Sequence, residues 1–553
     1  MNRYRLGVLT LLSLATLMAA IAFTGSDKAH KRSQWPLFER VVSAQAPVSP
    51  CPSYTALSPS IPADMAPPNS QANANCFAWA EFIALNWTGL PSTCAADPAA
   101  TAATFGTPLD NTPKVWELYA QDTDIFLPGA AAPTAWCSQS EVVSDKFRSV
   151  STAQLLSQLS SSSIPPKFLS AISKDADDPQ VKLSAFEQAG SGSWLTAQSG
   201  IIALYEIRVN QDEFSYIDSN GLYNAQTQQT FVLNPGVNLP VGTSASGGPG
   251  SIELKASWIE LDNSQLWPLY KTSTAWVVYP GSTTPKQVTV GLTGLHIIHK
   301  TANSQQFVWA TFEHVNNAPS TTDISNGTLL PWYTFYNASC NPQSDHYQCA
   351  ANAQIAGSTP AAPYFPHTPT DPMSAPIQVI RQNPISTSTS DNIQQINLWA
   401  QALIASSNPN SVFKNYQLVD VLWPQNSVSI PAASTIPLTN GNPQPNPSLE
   451  FVANTTLETY LQNTDTCLSC HVYAPIATVA TAQNGKMVQP ATRALLQRPS
   501  VAMSSKSRLA AHAAFAASPT YASDYSFLFS EAATPSTTAA LKVRRLSTKA
   551  TTR

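Results

Sequence analysis

Residues 286–315 read KQVTVGLTGLHIIHK, TANSQ, QFVWATFEHV. Two runs rich in β-branched and aromatic residues flank a short polar loop, the pattern of an antiparallel hairpin. Outward from it, IIALYEIRVN, EFSYIDS, SIELKASWIEL and TAWVVYP, all between Ile201 and Pro280, are separated by Gly, Pro and Asn and predict further strands. Upstream, NANCFAWAEFIALNWTGLP (73–91) sets Phe77, Ala80 and Ala84 on one helical face with Trp79, Phe82 and Ile83 beside it, and predicts a buried helix. KVWELYAQDTDIFLP (114–128) reads as a second, short helix. The expected fold class is α+β, mostly β: a large antiparallel domain with peripheral helices.

Composition supports that reading. Of 553 residues only 11% are charged and 45 are proline, which disfavours long surface helices and suits strands joined by many loops. Arg3 and Arg5 precede an apolar run from Leu6 to Phe23, the order of an export signal, with small-residue cleavage sites at Ala20-Ile21-Ala22 and Ala44-Gln45-Ala46. An uncleaved anchor is the alternative, and both place the body outside the cytoplasm, periplasmic or secreted. Residues 1–46 hold six Lys/Arg and two Asp/Glu, and 532–553 hold five basic residues and no acid. Without both, the net charge moves from −4 to about −13. Such a body repels nucleic acid and suits a basic partner. An exported chain with eight cysteines predicts disulfides. Cys340 and Cys349, flanking NPQSDHYQ, are the simplest pair, while Cys51, Cys76, Cys94 and Cys137 allow three pairings.

A proline-rich connector (424–448) separates residues 47–423 from a C-terminal unit, 449–531, and a basic tail, 532–553, with the composition of a disordered segment. The unit opens with NTTLETYLQNTDTCLSCH, where Thr455 and Glu458 have capping-box spacing and predict a helix. Within it, Cys467-x-x-Cys470-His471 is the one place where two cysteines and a histidine stand together. Two thiols on one turn can add across the two vinyl groups of a porphyrin, with the next imidazole under the iron. Zinc needs four ligands, and no second Cys-x-x-Cys exists. A thioredoxin-like dithiol should follow a strand. The expectation is therefore one covalent haem c on Cys467 and Cys470, with His471 as proximal iron ligand, in a small helical unit.

The second axial ligand decides between carrier and catalyst. Met487 and Met503 follow the motif but lie in polar surroundings. By strand alternation His296 shares a face with Val288, Val290, Leu292 and Ile298, whereas His299 shares the other with Thr289, Thr293, Leu295 and Ile297. The more apolar face favours His296 as sixth ligand, and a satisfied core histidine is the competing reading. Alternation separates His296 from His299, which disfavours a metal site built from His296, His299 and His314.

The blocks CFAWAEFIALNW, KVWELY, YEIRVN, SIELKASW, VGLTGLHIIHK, FVWATFEHV, NTTLETY with CLSCH, and SDYSFLF together resemble bacterial periplasmic cytochrome c family proteins with a large N-terminal region and one C-terminal haem motif. The resemblance spans about residues 76 to 530. The Ala- and Ser-rich stretch before SDYSFLF is longer than that pattern. It implies a monohaem electron-transfer protein working with a redox partner protein or a small-molecule donor or acceptor. The alternative is a haem-dependent oxidoreductase or small-molecule sensor with its pocket in the β-rich domain.

Overall fold

The computed structural model describes residues 50–138, 167–170, 195–242, 248–278, 286–340, 349–353, 377–388, 392–424, 427–438, 451–463, 466–479, 481–483, 486–488 and 520–535. The expected export segment, Met373, Met503 and the tail beyond 535 lie outside them. Among the described residues no helix is long and apolar enough to cross a membrane.

The chain is mixed α/β around one eight-stranded sheet. Its strands are β1 (Ala120–Gln121), β2 (Lys167–Ser170), β3 (Leu204–Val209), β4 (Ile252–Glu260), β5 (Thr272–Val278), β6 (Lys286–Thr301), β7 (Ser304–His314) and β8 (Tyr416–Leu422). They run in the order β8-β7-β6-β4-β3-β1, with β5 paired to β6 and β2 paired to β5. Every pairing is antiparallel except β2 with β5. The expected hairpin is β6 and β7, at the centre. Strands also form in YEIRV, IELKASWIE and TAWVV.

Both faces of the sheet are covered. On one lie helices α1 (Gln71–Leu85) and α4 (Ile393–Ser407). α1 starts at Ser70, whose side chain accepts from the Asn73 N–H, and is apolar nearly all round because it is buried nearly all round. Trp79 and Phe82 pack on Phe312 of β7, and Trp79 Nε1 donates to Asn397 of α4 at 2.9 Å. The other face carries α2 (Gln211–Ser219), α3 (Ala225–Phe231) and the C-terminal segments.

Two local readings are corrected. EFSYIDS is helix, not strand: Asn210 caps it by accepting from the Glu213 N–H at 3.2 Å, and Asp212 and Glu213 suit the positive end of the helix. The stretch 114–128 is not one helix. A 3-10 turn, Val115–Leu118, gives way to β1, where Ala120 and Gln121 pair with Val209 and Arg208, before a short helix at Asp122–Ile125.

The third correction decides the site. On β6, Leu292 lies opposite Trp258 while Gly294 lies opposite Ser257, so Thr293 is an extra residue, a β-bulge. Alternation reverses across it. Val288, Val290 and Leu292 therefore join Leu295 and Ile297 in the core beneath α1, whereas Ile298 joins the core on the opposite face. The apolar face belongs to His299, not to His296.

His299 is fully buried there. Its Nδ1 meets Glu81 of α1, its Nε2 lies 2.5 Å from the Pro249 carbonyl, and Phe77 stacks on the ring. Burial alone would lower its pKa, but Glu81 and the carbonyl outweigh it and raise the value above 6.5. The contribution of His299 is therefore complete below about pH 6.5 and fades as pH rises through its raised value, while Glu81, raised by burial, loses its own contribution from about pH 4.5 upward. We expect Glu81→Ala to cost about 3–5 kcal/mol in denaturant unfolding at neutral pH, because a buried partner is orphaned. The difference from wild type should shrink as pH rises further; a difference that grows would contradict it.

Candidate functional site

The C-terminal segments reach the sheet at the bulge. Gly294 faces them, and a Cβ there would stand 2.5 Å from Thr456 Oγ1 and 2.9 Å from Asn454 Oδ1. The Asn454 amide donates to the Phe312 carbonyl at 2.8 Å and to Thr311 Oγ1 at 3.0 Å. Thr455 donates through its N–H and hydroxyl to Glu313 Oε2, at 3.0 and 2.8 Å. Thr456 shares hydroxyl contact with Ser257 at 2.6 Å. These bonds to the sheet hold residues 455–463 in turns and a bend, so the helix expected from Thr455 does not form. Glu458 still reaches back, but to the Asn454 N–H at 2.9 Å. Its other oxygen meets His296 Nε2 at 2.7 Å.

His296 therefore lies on the sheet face that receives these segments, opposite Lys255 on β4 and Thr311 on β7. Burial pushes the Glu458 carboxyl up, but His296, Lys255 and the Asn454 N–H hold it below its ordinary value.

Cys467–His471 forms one helical turn, the helix α5. Leu468 anchors it in the core with Ile298 and Trp309, leaving Cys467 partly and Cys470 largely exposed. Both are thiols, whereas the other six cysteines form disulfides 51–76, 94–137 and, as expected, 340–349. Burial, aided by Glu458, raises the Cys467 thiol well above its ordinary value. That is the opposite of an activated redox thiolate. No cluster of three or more His, Cys, Asp or Glu fit to hold a metal ion occurs among the described residues.

His471 is half-buried, with its ring 4.5 Å from Trp309 and 4.9 Å from Phe527. Nδ1 lies 2.6 Å from the Tyr525 carbonyl. A carbonyl only accepts, so Nδ1 carries the hydrogen and Nε2 presents its lone pair. Desolvation pushes this imidazole down to about 4. The carbonyl is aimed by Asp524 and Tyr525, both in the left-handed region (φ 55 and 66), within a segment tied by Ser523 N to the Ala474 carbonyl and Ile476 N to the Tyr521 carbonyl.

His314 is elsewhere: its Nε2 meets the Leu269 carbonyl at 2.9 Å and Tyr270 stacks on the ring. His296, His299 and His314 thus have separate partners. Met65 is buried on the α1 side, and Met487 lies on a short strand, Lys486–Val488, paired with Thr481–Gln483. Sequence reasoning missed Trp309, Phe527, Lys255 and the Tyr525 carbonyl. A main-chain oxygen leaves no mark in a sequence, and Trp309 reads as an ordinary strand aromatic.

In protein carrying Cys467→Ala and Cys470→Ala, imidazole NMR should show His471 neutral down to about pH 4. Because this folded value lies below the unfolded one, its stabilisation is present above about 6.5 and lost as pH falls through about 4. A midpoint near 6.5 would mean that the ring is not buried between Trp309 and Phe527.

The chemistry of this site stands on the chain's own residues, for no protein-family model, no curated protein and no solved structure matches it.

Proposed function

We propose that the chain is an exported monohaem c-type cytochrome that passes electrons, with haem bound covalently through Cys467 and Cys470 and His471 as proximal iron ligand. The observation that carries this reading is the single helical turn holding two thiols and an imidazole whose Nδ1–H is bonded to Tyr525, which leaves Nε2 as the ligating atom. The donor set fits the group: two thiols three residues apart, a neutral imidazole, and aromatic neighbours. Such a group supplies a one-electron iron couple. Trp309 and Phe527 pack against His471, and Tyr525 fixes its tautomer.

In this reading residues 449–531 are the haem-bearing unit, and three disulfides accord with an oxidising compartment. The acidic body repels nucleic acid and suits a basic redox partner protein. His296 remains the candidate for the second axial position, now for a different reason. It lies on the motif's side of the sheet, and with Nε2–H held by Glu458 its Nδ1 is the nitrogen left to ligate. Without that ligand, an open iron face would make the chain a haem-dependent oxidoreductase or sensor.

Intact mass after acid-acetone extraction tests attachment: the mass should exceed that of the mature polypeptide by one haem, and an apo mass would sink the proposal. His471→Ala should keep the added mass but alter the iron spectrum strongly. His296→Ala should open the reduced iron to carbon monoxide. A wild-type protein that already binds carbon monoxide would favour the oxidoreductase or sensor instead.

A further inference from the structure

A second buried cluster lies on the same face. Glu213, in the first turn of α2, and Glu253, on β4, are 0% and 6% exposed. Their carboxyls act on each other electrostatically. Neither oxygen of Glu213, nor Oε1 of Glu253, receives an N–H or O–H donor from any other described residue. Two buried carboxylates that lack donors and repel each other do not both stay ionised, so the pair holds at least one proton.

The groups around the pair are Asp524 and Ser526 from the C-terminal segment and Lys300 from β6. Lys300 is already committed: its Nζ donates to Asp524 Oδ2 at 2.5 Å and to Asn238 Oδ1 at 2.7 Å. Asp524 also accepts from the Leu239 N–H at 2.6 Å. One lysine faces three carboxyls in an interior site, so the proton offsets a charge that Lys300 does not. Burial raises both glutamates, Glu253 to about 7.

Four consecutive residues join this cluster to the candidate haem site. Asp524 and Ser526 face the carboxyl pair, whereas the Tyr525 carbonyl holds His471 and the Phe527 ring packs against it. We propose that Glu213 and Glu253 form a redox-linked proton site, taking up a proton when the group on His471 is reduced and releasing it on oxidation. This rests on the haem reading. An electron arriving from a one-electron donor protein adds negative charge on one side of residues 524–527. The pair on the other side then binds a solvent proton more tightly, and by reciprocity a bound proton favours the reduced state. One electron enters, one proton enters, and the interior charge is unchanged.

The test is the midpoint potential of the holoprotein against pH. It should fall with rising pH around neutrality, by up to a tenfold change in the reduced-to-oxidised ratio per pH unit, about 59 mV for one electron. Glu213→Gln and Glu253→Gln should each flatten that slope. A wild-type potential independent of pH, or an unchanged slope in a folded variant, overturns the proposal. Infrared spectroscopy of the wild type reads the proton directly and needs no variant to fold. A protonated-carboxyl band should disappear as pH rises past neutrality and, in the reduced-minus-oxidised difference, grow on reduction. Absence of the band overturns the proton site itself. A protein of apo mass that keeps the band would instead remove the haem reading and the redox linkage, leaving a proton pair alone.

Discussion

The loop of Asn454, Thr455 and Thr456 can lie directly on the sheet because residue 294 has no side chain. A methyl group there would occupy the space of Thr456 Oγ1 and Ser257 Oγ. Around that contact the polar groups of the loop are answered by Thr311, Phe312, Glu313 and Ser257. Each buried polar group left unanswered would cost about 1–3 kcal/mol. The bonds therefore fix where the loop sits as well as how firmly. From that fixed point Glu458 reaches His296, and the turn that carries Cys467, Cys470 and His471 begins eleven residues after Thr456.

The interior is also tied by charge. Lys167 on β2 bridges Glu117 at 2.9 Å and Glu206 at 2.7 Å, lies 4.1 Å from the Trp258 ring centre, and shares Glu117 with Lys271. Arg208 closes on Glu206, and on the other side of the sheet Arg381 pairs with Glu313, the carboxylate that also holds Thr455. These ion pairs join segments far apart in sequence, and removing one partner would strand the other in the interior. In a chain only 11% charged, the charges are spent on interior ties as well as on solubility.

The central hairpin, the buried helix at 71–85 and the 340–349 disulfide were legible, because each rests on local pattern or spacing. What failed was anything that depends on partners distant in the chain. EFSYIDS has strand-like residues, yet Asn210 caps a helix that begins two residues before it. Thr455 and Glu458 have helix-start spacing, yet Glu313 claims Thr455. The faces of β6 were assigned by strict alternation, which a single bulge at Thr293 reverses. His296 was thus selected on an argument that the structure overturns, though it does share a face with His471. The buried pair Glu213 and Glu253 had no sequence signature at all, since the two residues lie 40 positions apart on different elements.

The disulfides join 51 to 76, 94 to 137 and 340 to 349, so each cysteine pairs with the next one along the chain. A polypeptide entering an oxidising compartment N-terminus first would meet every correct partner in turn. No crossing pairs need to be undone by an isomerase. When Cys467 and Cys470 finally emerge, all six earlier cysteines have a ready partner among themselves. In such a compartment the order of the thiols along the chain would act as a timetable for maturation, keeping the last two in reserve.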